Sequence, residues 1–107
     1  MGGKAFTVPC SLVRNGTYVD RISALPDSGA NGFAFLNTQC AKDIIRFLGC
    51  KATQLPQPIV AKGYDGVRGQ SITHYLSVDL LLDGRRLVEI PFLILDLANH
   101  DIILGAN

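Results

Sequence analysis

Short apolar runs separated by turn-forming residues extend along most of the chain. Runs of this length, bounded by glycine, proline, asparagine or aspartate, are typical of β-strands. Asn15-Gly16 and Asp83-Gly84, dipeptides that favour tight β-hairpins, each join two such runs. The predicted strands cover residues 6–13, 17–25, 33–36, 59–62, 72–82, 87–95 and 102–105.

One segment has the period of a helix instead. Asn37 or Thr38 would cap its N-terminus, and Gly49 stands where a glycine ends many helices. Its apolar positions recur three and four residues apart and therefore share one face. These positions are Ala41, Ile44, Ile45 and Leu48. The sequence therefore predicts a mostly all-β fold with one short helix.

Proline and glycine mark the less regular parts of the chain. Residues 51–58 contain two prolines and have no clear period, which predicts an extended connection. Pro9 and Pro91 fall inside predicted strands, and because proline lacks a backbone N–H, each indicates a strand edge or a bulge. Residues 63–70 are rich in glycine and polar side chains, which predicts a mobile hairpin tip.

The composition fits a single folded domain over residues 1–107. Hydrophobic residues make up 48% of the chain and charged residues 18%, which separates it from disordered sequences. Ten basic and nine acidic residues are scattered along it, so we expect no nucleic-acid partner. No apolar run approaches the roughly 18 residues of a membrane span, so we expect no membrane partner. Because no signal peptide is recognisable, we expect the chain to be cytosolic or carried inside a larger polypeptide.

Three cysteines, Cys10, Cys40 and Cys50, carry no C-x-x-C spacing, and the two histidines are scattered. This arrangement does not match a zinc site, so no metal is expected. We interpret the cysteines as reduced, partly buried thiols.

Asp27 lies within an otherwise apolar segment, shortly after Leu25 and before Phe33. Burying an unpaired carboxylate is costly, so an acid in this position indicates a partner or a function. Ser28 and Gly29 follow it with a hydroxyl and a backbone that lacks a Cβ atom, which suit a carboxylate that another peptide must approach. Taken alone, Asp-Ser-Gly is also common in surface turns.

Three features in order along the chain resemble the retropepsin-like aspartic proteases of retroviruses and LTR retrotransposons, the gypsy type most of all. They are the turn Asp27-Ser28-Gly29-Ala30, the glycine-rich hairpin at 63–70 and the late strand Ile103-Leu104-Gly105. The resemblance covers nearly the whole chain. It implies a closed or partly open β-barrel with one short helix, one active-site aspartate turn and one hairpin, called the flap, per subunit.

The resemblance also assigns roles to residues. Asp27 would be the catalytic residue, and Ser28, Gly29 and Ala30 would support its turn. Leu104 and Gly105 would lie beside the site as structural residues. The substrate-binding residues would be Gly29, Asn31 and Gly32 and, in the flap, Tyr64, Asp65, Gly66, Val67, Arg68 and Gly69.

Peptide hydrolysis by this route needs one carboxylate as base towards a water and a second as acid towards the carbonyl oxygen. The sequence has one Asp-Ser-Gly turn, so the resemblance implies a homodimer that contributes two Asp27 carboxylates. The substrate would be a peptide or a retrotransposon polyprotein, no cofactor would be needed, and the protein would act in the cytoplasm or in intracellular virus-like particles.

Two features depart from the family pattern. Pro26 stands where the family usually has an apolar residue, and the sequence stops just after Gly105, where family members continue; this leaves a C-terminal truncation open. Two alternatives to the enzyme therefore stay open. One is a non-catalytic dimerising or peptide-binding domain with the same fold, and the other is a small β-barrel that binds a lipid or metabolite around a buried Asp27.

Overall fold

The two predicted tight hairpins are present in the structure, a computed structural model that describes residues 6–27, 32–61 and 69–105. Asn15 and Gly16 have φ of 52° and 79°, and Asp83 and Gly84 have φ of 54° and 77°. Two successive positive φ angles define the turn that best matches the twist of the flanking strands. Within the described residues the elements are β1 (Val8–Arg14), β2 (Thr17–Asp27), β3 (Ala34–Asn37), α1 (Thr38–Leu48), β4 (Thr53–Val60), β5 (Ser71–Leu82), β6 (Arg85–Leu95) and β7 (Ile102–Gly105).

Six of these strands close into a barrel. Their order is β1-β2-β7-β3-β6-β5, and β5 also pairs with β1, which closes the ring. Strand β4 pairs with β5 on the outside of this ring. Two neighbouring pairs, β2 with β7 and β3 with β6, are parallel, and the other pairs are antiparallel. The predicted all-β barrel with one helix is thus confirmed at this level.

The helix α1 matches its prediction closely. Ala41, Ile44 and Leu48 are buried, as the period predicts. Gly49 has a left-handed φ of 67°, and its N–H donates to the Ile45 carbonyl at 3.0 Å, which ends the helix. Asn37 occupies the N-cap position, but its side chain makes no capping hydrogen bond.

Residues 51–58 are not the extended connection that the sequence predicted. Most of them belong to β4, which pairs with β5 at Thr53 and Gln54 and again at Ile59 and Val60, with a register shift between. The two prolines lie inside this shift, where no ladder hydrogen bond is required of them. Because the irregular pairing interrupts the alternation of apolar and polar positions, this part of the strand could not be predicted from the pattern.

Pro9 and Pro91 lie at strand positions of the kind that was predicted for them. Pro9 comes one residue before β1 begins to pair with β5, and Pro91 comes one residue before β6 begins to pair with β3. Each proline therefore lies where its strand has a neighbour on one side only.

Two groups of buried side chains form the core. The first, which we call the barrel cluster, draws on all six barrel strands and on α1, and includes Leu12, Leu36 and Phe92 with no exposed surface. The second, which we call the outer cluster, lies on the opposite face of β7, β3 and β6. Its buried members are Phe35, Ala61, Ile72, Leu93, Leu95, Leu97 and Ile103.

The three cysteines are free, and Cys10 and Cys50 are buried, as the sequence predicts. Burial, followed by the nearby Asp101 carboxylate, raises the pKa of the Cys10 thiol to about 11 and that of the Cys40 thiol to about 12. Within the described ranges no helix is both long enough and apolar enough to cross a membrane.

Candidate active site

Asp27 is the last residue of β2 and lies directly opposite Gly105, the last residue of β7. The two strands run parallel over four residue pairs, from Ala24 with Ile102 to Asp27 with Gly105. Strand β7 also pairs with β3 on its other side, so it lies between β2 and β3. The fold therefore brings the predicted catalytic aspartate and the predicted Leu104-Gly105 segment together.

Gly105 has no room for a side chain. A Cβ atom built on it would lie 2.5 Å from the Gly32 nitrogen and 2.8 Å from the Phe33 nitrogen, distances that real Cβ atoms do not reach. The Gly105 N–H also donates to the Phe33 carbonyl at 2.7 Å. Glycine here lets the backbone at Gly32 and Phe33 pack directly on the end of β7.

The face of the sheet on which Asp27 lies follows from strand alternation. Side chains two residues apart share a face, so Asp27 shares the face of Leu25, and across the pair Gly105 shares the face of Ile103. Leu25 packs against the outer cluster and Ile103 belongs to it. That cluster also contains Ala61 and Ile72, which flank the connection between β4 and β5. The outer cluster thus links the aspartate to the base of the predicted flap.

Pro26 does not interrupt the β2–β7 pair. Backbone N–H groups alternate sides along a strand, and the Ser23 N–H points to β7 because it donates to the Asp101 side chain. The nitrogen of Pro26 therefore points the other way, towards the side of β1. Pairing with β1 reaches only Ala24, so no ladder hydrogen bond is lost at Pro26.

The loop between β6 and β7 is held by hydrogen bonds at both ends. The Asn37 side-chain oxygen accepts from the Leu97 N–H at 2.9 Å, and the Asn37 N–H donates to the Asp101 carbonyl at 2.8 Å. The Asp101 carboxylate accepts from the Ser23 N–H at 3.1 Å. These bonds fix the start of β7 against both β3 and β2.

The base of the hairpin between β4 and β5 is described, although its tip is not. The Ala61 N–H donates to the Gln70 carbonyl at 2.9 Å and the Gly69 N–H to the Ala61 carbonyl at 3.2 Å. The Gln70 side chain donates to the Asp96 carbonyl at 2.9 Å and accepts from the Asp96 N–H at 3.1 Å. The hairpin base is thus attached to the same loop that leads into β7.

Several predicted site residues lie outside the described residues. They are Ser28, Gly29, Ala30 and Asn31 in the turn, and Tyr64, Asp65, Gly66, Val67 and Arg68 in the predicted flap. Their roles stay predictions. Of the predicted site residues that are described, Asp27, Gly32, Leu104 and Gly105 come together, and Gly69 lies at the hairpin base.

Two acidic residues near the strands of the site are distant from Asp27 along the chain direction. Asp20 is seven residues from Asp27 along β2, roughly 23 Å, and Asp101 is four residues before Gly105, the partner of Asp27, roughly 13 Å.

The sequence analysis missed the residues that hold the site in place: Ser23, Asn37, Gln70 and Asp101. Each of them makes a hydrogen bond with a residue between 26 and 78 positions away in the sequence. Asn37 did carry a signal, but it was interpreted as a helix cap. Asp101 directly precedes an apolar strand, which was the only hint of its role.

The sequence matches no protein-family model and no curated protein. The interpretation of the site therefore rests on the residues and their geometry.

Proposed function

We propose that this chain is a retropepsin-like aspartic endopeptidase domain that acts as a homodimer. The observation that carries the proposal is the parallel pairing of Asp27 with Gly105, where Asp27 is the first residue of the sequence Asp-Ser-Gly. This arrangement holds a carboxylate at a strand end, where a glycine keeps the neighbouring backbone close.

The second carboxylate would come from a second copy of the chain. Two Asp27 side chains across a two-fold axis would share one proton, since like charges about 3 Å apart do not both ionise easily. One carboxylate would act as base towards a water and the other as acid towards the carbonyl oxygen of the peptide. The pair would titrate as a unit.

The substrate proposed is an extended peptide with apolar side chains, as in a retrotransposon polyprotein. Asp27 lies on the same face of β2 as Leu25, and Leu25 packs against the apolar outer cluster. Phe33, next to the site, is 48% exposed, and its ring centroid lies 6.2 Å from that of Phe35. An apolar peptide side chain would find matching surface there. Residues 64–68 would cover the peptide.

The two alternatives differ from the enzyme in testable ways. A non-catalytic dimerising or peptide-binding domain would use the same fold and leave peptides intact. A small β-barrel binder would hold its ligand inside the barrel around a buried Asp27. Asp27 is instead half-buried, and side chains without exposed surface, such as Leu12, Leu80 and Phe92, pack inside the barrel. The packing therefore favours the two readings in which a peptide binds outside the barrel.

The deciding experiment compares the wild type with Asp27→Asn on a mixture of extended apolar peptides at acid pH, with and without pepstatin. We expect cleavage by the wild type, inhibition by pepstatin, and loss of at least about 99% of the rate in Asp27→Asn, because the amide cannot act as base.

Asp83→Asn is the matched control. It makes the same chemical change in an exposed turn where asparagine also adopts a left-handed backbone. Cleavage by Asp27→Asn at a tenth of the wild-type rate or more would refute the catalytic role. A wild-type dimer that cleaves nothing would favour the peptide-binding alternative.

A further inference from the structure

The register between β2 and β7 decides whether Asp27 lies beside Gly105, yet the apolar pattern of β7 does not fix it. Ile102 and Ile103 are both fully buried, one in the barrel cluster and the other in the outer cluster. Because both faces of the strand are buried and residues 102–104 are all aliphatic, a slip by one residue would still bury apolar side chains. Another feature must set the register.

Gly105 sets only part of it. The close approach at Gly105 involves Gly32 and Phe33, so it fixes β7 against the chain that enters β3. Asp27 belongs to β2, on the other side of β7. The position of β2 along β7 therefore needs a separate contact.

Asp101 provides that contact. Its carboxylate accepts from the Ser23 N–H at 3.1 Å, one residue before the first β2–β7 pair, and a weaker contact of 3.5 Å joins it to the Ser23 hydroxyl. Its main-chain carbonyl accepts from the Asn37 N–H on β3. One residue thus binds both neighbours of β7, and its side chain takes the place of a backbone acceptor in the ladder with β2.

We propose that Asp101 is a positioning residue that locks β7 in register with β2 and thereby places Asp27 beside Gly105. The inference rests on the proposed function in so far as it concerns catalysis, since Asp101 would act on the reaction only through Asp27. Its structural part, the register itself, stands without that function.

Three variants test the proposal. Asp101→Ala removes the acceptor, and Asp101→Asn keeps an oxygen that can accept from the Ser23 N–H while removing the charge. Asp96→Ala is the matched control: it makes the same change in the same loop, but the hydrogen bonds of Asp96 use its main-chain atoms and its side chain is exposed.

The measurements are the hydrogen exchange of the Ser23 amide, the backbone NOEs between β2 and β7, and kcat and KM for peptide cleavage. For Asp101→Ala we expect Ser23 exchange to be at least about tenfold faster, because a part-buried donor loses its partner. We expect kcat to fall at least about tenfold with KM changed less than about twofold, because a misplaced Asp27 affects chemistry more than peptide binding. Asp101→Asn should resemble the wild type in all three measurements, and Asp96→Ala should as well.

The proposal is overturned if Asp101→Ala keeps the wild-type NOEs, Ser23 exchange and kcat, or if Asp101→Asn behaves like Asp101→Ala. If Asp101→Ala does not fold, Asp101→Asn still decides: retention of Ser23 protection and register supports the proposal, and their loss refutes it. If the wild type cleaves no peptide, the proposed function fails, and the NOE and exchange results alone decide the role of Asp101.

Discussion

At the scale of single residues, Gly105 is the position at the candidate site where a side chain would not fit. The atoms that a Cβ would meet belong to the backbone of Gly32 and Phe33, which cannot rotate away as a side chain could. The same glycine supplies the N–H that holds the returning chain. The role of Gly105 is therefore steric and local. The addition of a single methyl group at this position should change the free energy of unfolding measurably.

We expect Gly105→Ala to lower the free energy of unfolding by about 2 kcal/mol or more, because the added methyl forces the backbone apart. Gly84→Ala is the control. It lies in a turn with φ of 77° and nothing within 4 Å, so only backbone strain of about 1 kcal/mol opposes it. Urea denaturation measures both. A loss in Gly105→Ala no larger than that in Gly84→Ala would contradict the close packing seen here.

Residue roles could be predicted from the sequence where they depend on near neighbours. The turns at Asn15-Gly16 and Asp83-Gly84 and the end of α1 at Gly49 are of this kind. Asp101 could not be recognised, because its partner Ser23 is 78 residues away. Asn37 was assigned to the helix, yet its side chain binds Leu97, 60 residues further on.

At the scale of the elements, strands were predicted where they alternate or are continuously apolar. Of β4 only Ile59 and Val60 were predicted as strand, and its first six residues were missed. Its residues are mostly exposed, and its pairing with β5 is interrupted by the segment that contains Pro56 and Pro58. A period-based prediction cannot detect such a strand. The last two residues of β2, Pro26 and Asp27, were also missed. They belong to the strand because β2 pairs with β7 as far as Asp27, whereas its pairing with β1 ends at Ala24.

The β5–β6 hairpin contains a bulge at Asp79, whose carboxylate binds groups on the opposite strand. Glu89 has a φ of 50°, and its N–H donates to the Asp79 carboxylate at 2.8 Å, while Arg86 donates to the same carboxylate at 2.7 and 2.9 Å. The Glu89 N–H and then the Arg86 side chain hold the pKa of Asp79 below its usual 3.8. The folded state thus prefers the ionised form of Asp79.

This preference predicts how stability depends on pH. A carboxyl whose pKa is lower in the folded state stabilises the fold fully above its unfolded value, and this contribution is lost as the pH falls through the folded value. The wild type should therefore exceed Asp79→Asn in stability most clearly above about pH 4, and the difference should shrink as the pH falls further. Denaturation at a series of pH values measures it.

Glu89→Gln keeps the donor N–H and serves as the control, in which the decline at low pH should persist. A difference between the wild type and Asp79→Asn that is constant from neutral to strongly acid pH would show that the bulge does not depend on the charge of Asp79.

At the scale of the whole molecule, the pattern predicted a mostly all-β fold with one helix, and the family resemblance implied a barrel. Composition and period could not supply the strand order. Hairpins follow from local turn residues, whereas the parallel pairs β2–β7 and β3–β6 join segments that are distant in sequence. Only the resemblance of the motifs at Asp27 and Gly105 indicated that these ends would meet. The geometry places them side by side, and the proposal of a shared active site depends on that pairing.

The central claim is that one active site contains Asp27 from two copies of the chain. The most direct test mixes wild-type protein with Asp27→Asn at constant total concentration, after the subunits have exchanged, and measures peptide cleavage against the wild-type fraction. Sedimentation of each protein alone checks that both dimerise equally.

If both aspartates are needed, activity follows the square of the wild-type fraction, and an equal mixture retains about a quarter of the activity. A linear fall, with about half of the activity left in the equal mixture, would mean that each copy works alone and would contradict the claim.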